Sequence, residues 1–123
     1  MRSSASRAAS AFVLDAVLVI VFAATGRASH EESPWAGLAL TAWPFLAGLV
    51  LGWLITLAWR APSSPVRIGL GVWAITVAGG MLLRAASGQG TALPFIIVAS
   101  IVLFVALVGW RIIAAAVARR RRG

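Results

Sequence analysis

Four apolar stretches constrain this chain more than any other feature: Ala8–Thr25, Trp35–Trp59, Ile68–Leu83 and Ala92–Trp110. A helix that crosses a bilayer needs about 20 largely apolar residues, with a range of about 17–25. The first, second and fourth stretches reach that range alone, and the third reaches it with its flanks. In hydrocarbon the backbone must satisfy its own hydrogen bonds, which leaves helices as the form for such segments. Hydrophobic residues make up 61% of the 123, and the mean hydropathy is +0.96. A soluble domain carries about 45–50% apolar residues. The expected fold is therefore all-α: a four-helix transmembrane bundle forming one integral membrane domain over residues 1–123. Its helices are placed near 8–26, 36–60, 66–84 and 91–118.

The basic residues orient those spans. The net charge is +8, from eleven arginines and no lysine. Cytoplasmic loops of membrane proteins are enriched in basic residues. Arg2 and Arg7 precede the first span, Arg60 and Arg67 bound "RAPSSPVR", and Arg119 to Arg122 end the last. These eight fall on one side, with Arg27 and Arg84 on the other. The count predicts cytoplasmic N- and C-termini in a cell (inner or plasma) membrane. Nucleic acid is a poor explanation for the charge, because the arginines lie at segment ends. The terminal Arg119, Arg120, Arg121 and Arg122 are placed to meet anionic lipid. "ATGRASH" has the small residues of a signal-peptide cleavage site, but Asp15 interrupts the preceding run and three more spans follow. The first segment therefore reads as a retained helix.

Tryptophans fit the same frame. Trp59 and Trp110 fall near the proposed inner boundary, and Trp35 and Trp43 near the outer one, as expected of an interfacial aromatic belt. Trp53 and Trp73 lie deeper and are expected between helices.

"TAWPF" at 41–45 is echoed by "TALPF" at 91–95, and each following helix closes on tryptophan–arginine, Trp59-Arg60 and Trp110-Arg111. Helices 1–2 and 3–4 thus read as two tandem hairpins. Each contains two spans and enters from the same side, which makes them parallel repeats about an axis along the membrane normal. Pro94 suits a first helical turn, where a missing N–H costs nothing. Pro44 either kinks helix 2 or marks its start after a re-entrant lead-in. Gly48 and Gly52 give a GxxxG face, and Gly79-Gly80 thins helix 3. Such residues permit close packing in lipid, within the bundle or between copies of it.

Asp15 is the anomaly. An aspartate at the centre of a spanning helix costs about 2.5–3.5 kcal/mol, while each strongly apolar residue gains about 0.3–0.6 kcal/mol. Nine such residues surround it, Phe12–Leu14 and Val17–Phe22, so the helix inserts with a margin of about 0–3 kcal/mol. An intramembrane carboxylate faces the bundle, is protonated, or has a partner. Counting at 1.5 Å per residue puts Asp15 about 18 Å from Arg27 and Arg111 about 25 Å from Pro94. Helical side chains lean toward their own N-terminus, which brings the two together across antiparallel helices. Two arrangements are open: an Asp15–Arg111 ion pair, or an Arg111 that snorkels to the interface and leaves Asp15 protonated or hydrogen-bonded. Functionally, Asp15 is either a proton or cation site or a buried pair that fixes helix register.

The loop "GRASHEESP" (26–34) holds His30, Glu31 and Glu32, the only His and the only Glu. With Arg27 and Arg84 they form a candidate outer polar cluster. Their spacing suits solvated ion pairs better than a metal set, so no metal and no cofactor is expected. Cysteine is absent, which removes disulfides and thiol catalysis.

With Asp15, "FAATGRASH" (22–30), "TAWPF" (41–45), "GGMLLR" (79–84), "GQGTALPF" (88–95) and "GWR" (109–111) in hand, the chain resembles the DUF3054 family of small bacterial and archaeal membrane proteins of unknown function. The resemblance implies an integral membrane domain, and it singles out Asp15, Arg27, His30, Arg84 and Arg111 as the polar set. The expected role is a small four-span membrane protein with a buried polar site around Asp15. The alternatives are a proton- or cation-coupled transporter acting as a homo-oligomer, or an accessory subunit of a larger membrane complex. No nucleophile–base set or phosphate loop points to an enzyme.

Overall fold

The computed structural model describes residues 3–27 and 34–122, with side-chain surroundings for 3–25 and 37–121 of them. Every regular element among the described residues is helical. The main helices are α1 (Ser4–Arg27), α2 (Pro34–Thr56), α3 (Leu70–Ala86), α4 (Leu93–Leu103) and α5 (Gly109–Arg122). A π-helical turn, Phe104–Val108, joins α4 to α5, so the two run on as one rod. Among the described residues four stretches are long and apolar enough to cross a membrane: Ser4–Thr25, Gly37–Thr56, Pro65–Ala86 and Leu93–Arg121.

Only 22% to 44% of the apolar window in each of these stretches is buried inside the bundle. Much of the remainder is aliphatic and points outward: Leu82 is 72% exposed, Val105 65% and Ile55 61%. Water would penalise such a surface at about 25 cal/mol per Å², whereas acyl chains would not. The outward face is consistent with a membrane protein.

Inside, the tightest contact is α2 against α3, where small residues bring the backbones together. A Cβ on Gly48 would fall 2.8 Å from the Thr76 carbonyl oxygen and 3.1 Å from the Gly80 nitrogen. One on Gly52 would lie 3.3 Å from the Val72 oxygen, and one on Gly79 would lie 3.3 Å from the Gly48 Cα. Gly48, Gly52, Gly79 and Gly80 thus pack α2 on α3 within a single chain. This closest pair crosses the boundary between the two hairpins suggested by the repeated motif. The repeated phenylalanines do meet: the Phe45 and Phe95 rings lie 6.1 Å apart, and Phe22 stands edge-on to Phe45 at 5.3 Å.

Pro44 sits inside α2, which runs unbroken from Pro34. Of the two expectations for this proline, the helix therefore does not begin after it. Pro94 occupies the first turn of α4. α2 ends at Thr56; the next residue, Leu57, is a non-glycine with φ 54°, and a 3-10 turn, Ala58–Arg60, follows. A second π turn, Pro65–Gly69, leads into α3, with the Gly69 N–H donating to the Ser64 carbonyl at 2.9 Å. The start of α1, the α2–α3 connection and Trp110 gather at one end of the bundle. At the other end Gln89, in the α3–α4 connection, donates its side-chain N–H to the Leu40 carbonyl at 3.0 Å.

Candidate functional site

Asp15 lies on the inner face of α1, and neither it nor Arg111 has any exposed surface. The guanidinium grips the carboxylate with both arms: Nη1 donates to Oδ1 at 2.9 Å and Nη2 to Oδ2 at 2.6 Å. Two indoles complete the shell. Trp53 Nε1 donates to Oδ2 and Trp110 Nε1 to Oδ1, each at 2.8 Å. Four donors occupy the roughly four lone-pair sites that an ionised carboxylate offers, so no acceptor position remains open. Arg111 also donates through Nε to the Pro62 carbonyl and through Nη1 to the Leu107 carbonyl, each at 2.8 Å. Its guanidinium carbon lies 4.6 Å from the centre of the Trp110 ring.

These contacts tie together α1, α2, the α2–α3 connection, the π turn and α5. The elements around Arg111 prepare its position. A spacing of four links the buried residues Ala99, Leu103, Leu107 and Arg111, although an α-helix turns every 3.6 residues. An i→i+5 turn takes in an additional residue, and the π turn at Phe104–Val108 absorbs the drift so that Arg111 still faces inward. From α3's side, Gly69 leaves room: a Cβ there would come 3.1 Å from the Arg111 Cδ. Phe12 stands edge-on to Trp53 at 5.3 Å and holds the indole in place.

Of the two arrangements open from sequence for Arg111, the structure has it turned inward onto Asp15 rather than extended toward the interface. The low local dielectric explains the choice, since a paired, fully bonded ion is far less costly there than a lone carboxylate. Trp110 has a task beyond the interfacial anchoring expected of it. It is half-buried, and its N–H is spent on Asp15 rather than on headgroup water. Trp53 packs between helices and in addition donates a hydrogen bond to the carboxylate. Trp73 lies edge-on to Phe104 at 5.0 Å and donates to the Ser100 carbonyl. Trp43 and Trp59 are exposed.

The outer cluster is only partly visible. His30, Glu31 and Glu32 lie outside the described residues, and Arg27 is described only as the last residue of α1. Arg84 is half-buried and turns to its own loop. Its Nε donates to the Gly90 carbonyl at 2.9 Å and its Nη1 to Gln89 Oε1 at 3.0 Å, with the guanidinium 4.4 Å from the Phe95 ring centre. Among the described residues no three metal-ligating side chains gather. The parts played by Gln89, Pro62 and Gly69 are not evident from residue type alone. A "GQG" between two spans gave the one available signal for a structured turn.

No curated protein matches this chain, and neither does any solved structure. A family model described as "Protein of unknown function (DUF3054)" matches residues 12–114, a stretch that includes Asp15, Trp53, Pro62, Trp110 and Arg111. That match takes in most of the chain, and the protein belongs to the DUF3054 family.

Proposed function

We infer that this chain is a four-span integral membrane protein of the cell membrane, with both termini cytoplasmic, in which the Asp15–Arg111 centre is a permanent clamp on the helices. The bundle then serves as a binding module. It neither translocates protons or cations nor carries a catalytic step. One observation carries the reading: both Asp15 oxygens already accept two N–H donors each. A relay carboxylate must exchange partners, and this one has no vacant acceptor position with which to begin. The clustering of Arg7 and Arg60 at the end where α1 starts supports the orientation. Arg119, Arg120 and Arg121 are exposed on α5 and suit contact with anionic lipid. The meeting of Phe45 and Phe95 supports an origin by duplication of a hairpin.

The transport reading needs an oligomer, because four helices enclose little space. The Gly48/Gly52 face that would serve such an oligomer is already occupied by α3. An accessory subunit would instead use the outward aliphatic faces.

A double-variant cycle tests the clamp. Asp15→Asn and Arg111→Leu should each lower the unfolding midpoint in detergent, and the double variant should recover part of the loss. A double variant no better assembled than Asp15→Asn alone overturns the clamp, as does an Asp15-dependent collapse of a pH gradient in proteoliposomes. Single cysteines introduced at Ser4 and Ala118 test the topology: both should react from the cytoplasmic side, and opposite sidedness rejects it.

A further inference from the structure

A cavity of about 470 Å³ opens at the end of the bundle where α1 begins. Arg7, Trp59, Arg60, Ser63 and Trp110 wall it, and Ala11 and Leu14 supply an apolar inner side. Both arginines are exposed, and neither guanidinium has a hydrogen-bond or ion-pair partner among the described residues. Among the described residues no carboxylate lines the cavity. Asp15 lies one turn deeper with both oxygens occupied, and Glu31 and Glu32 follow the far end of α1. The Ser3 hydroxyl accepts the Ser6 N–H, so α1 also presents an ordered N-terminal turn with its partial positive charge. The reversal at Leu57, in the left-handed region that bulky residues avoid, brings Trp59 and Arg60 round to this opening.

We propose that the cavity is a binding site for a phosphate group carried by a small or amphiphilic molecule. Guanidinium forks match phosphate oxygens in pairs. The volume is that of a small-ligand pocket, about 300–1,000 Å³. Trp59 and Trp110 flank the rest of the ligand. The phosphate comes either from an anionic phospholipid, whose acyl chains run along exposed Leu14, or from a soluble phosphate monoester reaching the same forks from water. Trp110 is shared: its ring walls the cavity while its N–H holds Asp15, so an occupant also braces the clamp and raises the unfolding temperature by mass action. The proposal rests on the four-span reading only for the headgroup depth of the cavity.

The test uses the full chain in mild detergent, read by native mass spectrometry and thermal unfolding. The probes are phosphatidylglycerol, phosphatidylcholine and glycerol 3-phosphate. Wild type should retain one phosphatidylglycerol or one glycerol 3-phosphate in preference to phosphatidylcholine. Retention should weaken by about tenfold or more in Arg7→Gln/Arg60→Gln, whereas Arg119→Gln/Arg120→Gln/Arg121→Gln, on the exposed end of α5 outside the cavity lining, should lose only additional, non-stoichiometric lipid and keep the single bound ligand. Retention of the lipid alone assigns a headgroup ligand, and retention of glycerol 3-phosphate alone assigns a soluble one. The site is rejected if the Arg7/Arg60 variant binds like wild type, if the Arg119–Arg121 variant loses as much, or if none of the probes is retained. Should the double variant unfold, Arg60→Gln and Arg60→Lys are read in its place, with the lysine form expected to keep part of the binding. Opposite sidedness of the termini would sink the topology while leaving glycerol 3-phosphate binding intact, so the two failures are separable.

Discussion

Two arginines at opposite ends of this bundle solve the same difficulty in different ways. Arg111 is wholly enclosed, and it meets a full counter-charge, two backbone carbonyls and an indole face. Arg84 is half-buried, and it meets an amide oxygen, a carbonyl and a phenyl ring. The deeper cation has an anion because partial charges alone cannot replace its lost hydration. The shallower one keeps enough solvent contact that dipoles and a ring suffice. Depth, more than residue type, decides how complete the compensation must be.

That contrast gives an ordered set of outcomes. Arg111→Leu should be the most damaging, costing about 3–5 kcal/mol in reversible detergent unfolding because it strands a buried carboxylate. A loss below 1 kcal/mol would mean that Asp15 is solvated or protonated. Next come the indoles. Trp53→Phe and Trp110→Phe each remove one N–H from the carboxylate, worth about 1.5–3 kcal/mol for a bond to a charged group. The buried Trp53 should be the costlier, and the reverse order in the same measurement would reassign the main support to Trp110. Arg84→Gln should cost only about 0.5–1 kcal/mol, the scale of an exposed cation–π contact. An effect equal to that of Arg111→Leu would erase the distinction between the two ends. Smallest is Thr76→Val. The Thr76 hydroxyl is buried without a partner among the described residues, so its removal should be neutral or stabilising by up to about 1 kcal/mol. Clear destabilisation on thermal unfolding would indicate that the hydroxyl has an acceptor.

The sequence spoke plainly where a property is local and cumulative. Twenty apolar residues in a row have few alternatives to a spanning helix. A lone aspartate among them needs compensation, and Arg111 was the arginine left over once the loops had been counted. It was silent where the outcome depends on direction. Trp110 near a helix end reads as an interfacial anchor, and only the heading of α5 turns its N–H inward. That heading depends on the π turn at Phe104–Val108, whose residues are ordinary helix-compatible aliphatics and one phenylalanine. Pro62 contributes through a backbone carbonyl, which no side chain advertises. The packing role of Gly48 and Gly52 was visible, but whether they met another helix of the same chain or a second copy was not, since backbone approach looks alike in both cases.

The pairing between the first span and the last bears on how the protein is made. Asp15 and Arg111 are 96 residues apart. At about 5–20 residues per second of synthesis, roughly 5–20 s separate the incorporation of the carboxylate from that of its counter-ion. On the proposed four-span reading, the first helix must for that interval lodge somewhere that tolerates a solitary acid, such as a wet lateral gate or the shelter of a protonated state. Final assembly can close only when the carboxy-terminal rod arrives, so a ribosome that stalls before codon 111 would leave three helices with an orphan anion among them, a natural mark for membrane proteolysis.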